Sequence, residues 1–349
     1  MSITYKTRLI RQMLPWLLWI PLLLAGPAYA EAGIAAPLTR GDPFIPAPVP
    51  PVNPAPPVPP PVVNPPPVLR GAPVPSTPVV PVDPAPVATP RLVEPVRLAL
   101  MPGARLLVSE YRTQTIKILD QRDLSVQWSL PVAGNPVAVA WGEGRIFVGN
   151  ETAGRVEAYN FYGRLMTTYG APGSILLPNA VVFDAESSRV MVLDSFEKVI
   201  KVFALDGTFL YPLTQTGALE NPSAMSFDAA RRLLLVSDFG GFSDNMFGKP
   251  SASVRYFDLS GTEQIRFNGL SARPQGLGVD GSGHLYVVDS YESQVQVLDA
   301  ASGAPLGLLS APGNLNLPLD VVYSPGTNKL YVTDNQNGRI ASFDRWVAP

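Results

Sequence analysis

The sequence predicts an all-β fold, a six-bladed β-propeller of four-stranded antiparallel blades, and three observations carry that expectation. Between about Pro95 and the C-terminus one unit recurs six times: an apolar strand, a turn, a second strand ending in an acid or amide, a six-residue connection, then a third strand. The second-strand endings read VSE (Glu110), VGN (Asn150), VLD (Asp194), VSD (Asp238), VVD (Asp289) and VTD (Asp334), spaced 40, 44, 44, 51 and 45 residues apart. Repeats of this length with several short strands point to a propeller, because one blade cannot bury both its faces until neighbours stack on it. The chain of 349 residues contains no cysteine, so the ring must be held by blade packing and closure alone.

Residues 1–30 read as a signal peptide. Lys6, Arg8 and Arg11 precede the apolar run LPWLLWIPLLLA, and Ala28-Tyr29-Ala30 then offers a small-x-small cleavage site before Glu31. Pro15 and Pro21 interrupt the run, which is shorter than the roughly 20 residues of a transmembrane helix, so an uncleaved anchor is the lesser alternative. Residues 31–86 form a proline-rich linker: 23 of the 40 prolines fall between Pro37 and Pro95. Proline fixes φ and supplies no backbone donor, so the tract is expected to favour polyproline II and to make no sheet ladder. Fully extended, Pro37 to Pro86 would reach about 150 Å at about 3.1 Å per residue. Such a tract is a stalk, or alternatively a docking tract for an aromatic-lined groove.

Residues 87–349 are assigned to the propeller. First strands read VRLAL, VAVAW, NAVVF, SAMSF, QGLGV and LDVVY, each preceded by a proline: Pro95, Pro136, Pro178, Pro222, Pro274 and Pro318. Ala99, Ala138, Ala180, Ala224, Gly276 and Gly278 suit innermost strands that crowd a tapered centre. Second strands such as RLLVSE and HLYVVD run apolar or alternate, and third strands such as IKILD and VQVLD follow. Most then turn through a glycine (Gly163, Gly207, Gly261, Gly303) into a fourth strand. The sixth repeat has too few residues after Asp344 for its own outer strand, so the segment around Val87 to Val93 is expected to supply it and close the ring.

Charge excludes some functions. Without its first thirty residues the chain has 23 basic and 28 acidic residues, and no basic patch marks a nucleic-acid partner. Absence of cysteine removes lipoprotein anchoring and covalent haem. His284 is the single histidine; it lies in the turn DGSGH, on the face opposite the acids, which excludes a Ser-His-Asp triad at the acidic mouth and a multi-histidine zinc site.

DGSGHLYVVDSYESQVQVLD (280–299) and KLYVTDNQNGRIASFD (329–344), with NETAGRVEAYN (150–160) in part, resemble the NHL-repeat propellers. The resemblance spans about residues 96–344 and implies the fold; its relatives include interaction modules and enzymes, so it does not by itself assign an activity.

Two constellations are candidate sites. Five of the six acids or amides sit six residues before the first branched apolar residue of the third strand, a regularity that fits side chains capping backbone N–H groups in a repeated turn. The alternative is an acidic ring in which Glu110, Asn150, Asp194, Asp238 and Asp289 hold Ca²⁺ or a similar divalent cation. The fourth repeat carries an insertion, DFGGFSDNMFGKPSAS, ten residues longer than its counterparts and rising from the same face. Its Phe239, Phe242, Met246 and Phe247, with Tyr111, Phe196 and Tyr291 from neighbouring loops, form a candidate binding surface; the competing reading is a self-packed lid.

These readings predict an exported, non-catalytic binding or scaffold propeller, periplasmic or at the cell surface, with no cofactor and with a protein partner in the cell envelope. The alternatives are a metal-assisted hydrolase resembling propeller lactonases and a purely structural part of an envelope assembly.

Overall fold

The computed structural model describes residues 69–70, 91–240, 252–269, 273–309 and 314–348, within the unit Val62–Pro349. The leader, most of the proline-rich tract and the insertion residues Phe242, Met246 and Phe247 lie outside the described residues. All regular elements among the described residues are strands, and no described helix is long and apolar enough to cross a membrane.

Six innermost strands surround a central channel: Pro95–Met101, Pro136–Gly142, Pro178–Asp184, Pro222–Asp228, Pro274–Val279 and Pro318–Ser324. Each pairs antiparallel with a second strand, in blade order Arg105–Glu110, Arg145–Asn150, Arg189–Asp194, Leu233–Asp238, His284–Asp289 and Lys329–Asp334. Third strands follow at Thr115–Asp120, Arg155–Asn160, Val199–Ala204, Ser253–Phe257, Gln294–Asp299 and Arg339–Asp344. Blades one to five end in outer strands Val126–Pro131, Leu165–Tyr169, Phe209–Pro212, Glu263–Asn268 and Pro305–Leu308. The expected six-bladed propeller is therefore the observed one.

Every inner strand opens on its proline, where a missing N–H is tolerated, and the register slips immediately afterwards. That slip leaves the proline opposite the terminal acid or amide of the second strand in all six blades, from Pro95 with Glu110 to Pro318 with Asp334. The six side chains are thus delivered to one face by the same register.

Six apolar clusters fill the six gaps between blades. Met101, Leu107 and Ile116 of blade one meet Val139 and Ile146 of blade two, and the series continues round to Leu106 and Val108 of blade one against Tyr331 and Ile340 of blade six. A closed series of this kind buries both faces of every blade, which a blade alone cannot do.

Of the expected closing segment, Val87 to Val93, only residues 91–93 are among the described residues. Among the described residues blade six has three strands, and residues 91–93 reach it by packing rather than by a ladder: the Leu92 N–H donates to the Gly338 carbonyl at 2.8 Å, and Leu92 is buried in the cluster of Tyr331 and Ile340. The chain must enter the channel at Pro95 from the acid face, so these residues cross that face of blade six; residues 87–90 lie outside the described residues. At the other terminus Trp346 folds back on blade five, packing with Leu306 and meeting His284 edge-on at 5.2 Å. His284 itself bonds Asp280 at 2.8 Å within its hairpin turn.

One expectation fails for the proline tract. Leu69–Arg70 pairs parallel with the outer strand of blade four, Leu69 opposite Phe267 and Arg70 opposite Asn268. The two residues sit in a proline-free window, Val68 to Ala72, where backbone donors are available, and the outer strand offers an unpaired edge.

Candidate functional site: the acid face and the channel

The acid-face side chains bond inward onto their own turns and the incoming connection. Asp194 accepts the backbone N–H groups of Phe196 and Glu197 from its turn and of Leu176 and Leu177 from the chain arriving from blade two, all at 3.2–3.3 Å. Asp238 accepts from Gly240, Glu220 and Asn221 in the same way. Asp289 accepts from Tyr291 and Glu292, and Asp334 from Asn316 and the Asn337 amide. Asp194, Asp238 and Asp334 therefore each staple a turn to the connection between blades.

Glu110 and Asn150, the two departures from aspartate, are built differently. Glu110 reaches further, accepting from the Thr113 and Thr115 hydroxyls at 2.6 and 2.9 Å and from the Val93 N–H at 2.9 Å. Asn150 caps its turn by accepting from Ala153 and uses its amide to donate to Ala133 O and to Glu157 Oε2, each at 3.0 Å. A charge exchange explains Asn150. Seven residues after the acid stands Lys117 in blade one and Lys201 in blade three, and Arg255 takes the same place beyond the insertion in blade four; each lies within 4.0 Å of its carboxylate. In blade two that position is Glu157, and the partner is an amide instead of an acid. Burial would raise the Glu157 carboxyl, but the bonds from Tyr159, Arg155 and Asn150 hold it below the ordinary range.

Among the described residues no three His, Cys, Asp or Glu side chains converge as a metal set. The five residues of the cation reading, Glu110, Asn150, Asp194, Asp238 and Asp289, are all buried and spread one per blade around the rim.

The aromatic residues separate into two groups. Phe196 and Tyr291 are half exposed, at 52% and 53%, with Arg273 lying 5.9 Å above the Tyr291 ring. Tyr111 is held in place: its hydroxyl donates to Glu151 at 2.9 Å and accepts from Asn135 at 3.0 Å. Burial and that carboxylate push the Tyr111 phenol up to about 12. Phe239 is half buried, its N–H bound to Asn221 O.

The channel holds residues that the repeat reading passed over. Two positions after the opening proline, four blades have Ala138, Ala180, Ala224 or Gly276, but blade one has Arg97 and blade six Asp320. Arg97 spans the acid-face end of the channel, donating to Leu319 O at 3.0 Å and to Ser223 O at 2.5 Å. Asn179 donates to the same Ser223 carbonyl at 2.8 Å, and the Ser223 hydroxyl continues to Pro274 O at 2.7 Å, so blades one, three, four, five and six are cross-braced there. Five positions after the proline stand Trp141, Phe183, Phe227 and Tyr323 in four of the six blades, half buried around the opposite mouth. Alignment of the repeats on their prolines exposes both patterns.

The NHL repeat family model matches residues 272–298. No curated protein sequence matches the chain. Among solved structures the chain is similar to hydrazine synthase of Kuenenia stuttgartiensis, at TM-score 0.56 and 13% identity over 75% of this chain and 98% of that one. It is also similar to a chain of a nidogen/laminin complex, at TM-score 0.54 and 18% identity over 69% of this chain and 93% of that one. At these identities the likeness is one of fold. Ring, register and motif together make this chain a six-bladed β-propeller carrying an NHL repeat at residues 272–298.

Proposed function

We propose that the chain is a non-catalytic recognition module, exported to the cell envelope and carried on its proline-rich segment, with a protein or ligand bound at the acid face. One observation carries the reading: that face presents the half-exposed rings of Phe196 and Tyr291 above acids whose oxygens already accept turn and inter-blade donors. Carboxylates bonded in this way hold loops still; a metal-assisted hydrolysis would need those of Asp194 and Asp238 to release backbone N–H groups before taking Ca²⁺. NHL propellers commonly mediate protein interaction, and the neighbour drawn from a nidogen/laminin complex is consistent with that use. Export is supported by the leader-like composition of residues 1–30.

The experiment is cross-linked capture from envelope extract, comparing wild type with Phe196→Ser/Tyr291→Ser and with Phe242→Ser/Met246→Ser/Phe247→Ser. An aromatic anchor contributes on the order of 2 kcal/mol, about thirtyfold in affinity, so at least one variant should lose capture while its melting temperature stays unchanged. Undiminished capture by both would remove the acid face from the reading. Fractionation of cells expressing the full chain tests export separately, and retention in the cytoplasm would end that part.

A further inference from the structure

The channel is closed at one end and open at the other. At the acid face Val96, Arg97, Val137, Ser223 and Leu319 are buried, and Arg97 bridges from blade one to blades four and six. At the opposite face Leu100, Trp141, Phe183, Phe227, Val279 and Tyr323 remain half exposed. Between these ends lies a cavity of about 330 Å³ lined by all six inner strands. That volume falls in the range of small-molecule sites, which are mostly apolar with a few placed polar groups.

The placed polar group is Asp320. Room for it is made by Gly276 of blade five, where an added Cβ would collide with Asp320 Oδ1 and Cα and lie 2.9 Å from Leu319 O. Asp320 Oδ2 accepts the Leu98 N–H at 2.9 Å, yet among the described residues no cation stands within 4.0 Å of the carboxylate. Arg97 is near enough to attract it, but both terminal nitrogens of that guanidinium are taken up by carbonyls of blades four and six. Asp320 is half buried, and desolvation pushes its carboxyl up to about 6, the mark of a charge whose solvation is reduced without a full partner in return. Three of the rim acids differ: Asp194, Asp238 and Asp334 each have a Lys or Arg within 3.4 Å.

We propose that the channel is a one-ended binding pocket, entered from the face opposite the acids, for a small molecule with an aromatic or aliphatic body and a protonated amine that pairs with Asp320. The apolar body would rest against Leu98, Val139, Val181 and Leu277, which line the wall. Trp141, Phe183, Phe227 and Tyr323 present rings at the mouth, and aromatic faces attract a cation in transit. The carboxylate then gains the counter-charge that the fold withholds from it. The pocket is separate from the acid-face surface and does not depend on it.

Calorimetric titration of the full chain at pH 7.5 with phenethylamine, 2-phenylethanol and 3-phenylpropionate tests this. The three probes share a phenyl body and differ in a cationic, neutral or anionic head. The amine is expected to bind, and Asp320→Asn to weaken it by about tenfold or more, equivalent to about 1.4 kcal/mol. Ser226→Phe, which fills the half-exposed mouth without touching Asp320, is expected to abolish binding, and it serves alone should Asp320→Asn not fold. Absence of amine binding at tens of millimolar, binding of the alcohol or acid as tightly as the amine, or binding unchanged in either variant would overturn the proposal.

Discussion

Replacing Asp320 by Asn removes a charge that the fold holds at an electrostatic disadvantage, and the effect can be isolated by pH. Burial raises the carboxyl from the ordinary 3.8 to about 6, with the attraction of Arg97 and the Leu98 and Val321 N–H groups offsetting part of the rise. An acid whose pKa is higher in the folded state binds its proton more tightly there, so its stabilising contribution is complete below pH 4 and is lost as pH rises through about 6. Two pKa units correspond to about 3 kcal/mol, an upper figure for a side chain that keeps some access to the channel. Asn approximates the neutral acid at all pH values. The stability of wild type minus that of Asp320→Asn should therefore fall by up to about 3 kcal/mol between pH 4 and pH 7.5, with most of the change between 4 and 6. Carboxyls held low by their partners, such as Asp184 and Asp280, titrate in both proteins and cancel in the difference. Urea unfolding at four pH values in that interval measures it. A difference that stays constant across the window would show that Asp320 is not the desolvated charge inferred from its position.

Three further outcomes follow from the geometry. Asn150→Asp sets a second carboxylate against Glu157 Oε2 and should cost about 1–3 kcal/mol at pH 7, with recovery in the Asn150→Asp/Glu157→Gln double variant; an undiminished loss in the double variant would refute the charge exchange. Leu92→Ala should destabilise the whole propeller by about 2–5 kcal/mol because Leu92 is buried between blades six and one, whereas deleting residues 31–84 should move the melting temperature little; equal losses would place closure elsewhere. Millimolar Ca²⁺ should leave the melting temperature unchanged, since only a ligand that prefers the folded state raises it; a rise that disappears in Glu110→Gln would favour the metal-assisted hydrolase.

The candidate site was only partly legible. Repeated acids six residues before the third strand announced a capping turn, and in blades three, four and six the structure extends that job to the connections between blades, because the slipped register at the proline brings an incoming N–H within reach. The departures at Glu110 and Asn150 looked like ligand positions when each was read beside its own turn. The residues they pair with, Lys117 and Glu157, stand seven residues further on in the adjoining strand and become neighbours only through antiparallel pairing; of the two, Glu157 is the one that departs from the basic residue of blades one, three and four. Tyr111, grouped with the exposed aromatics in the sequence, is tied down by Asn135 and Glu151 of blade two.

The sequence alone determined the class of fold, the number of blades and the face on which the acids lie, because those follow from a period of about 44 residues and the two-residue alternation of strands, both local and repeated six times. The tertiary structure decided how the ring closes and what occupies its centre. Leu92 meets Gly338, and Arg97 meets Ser223 and Leu319, across separations of 126 to 246 residues. No local period encodes such contacts: they exist only once six blades curve round on one another and bring the first blade against the last.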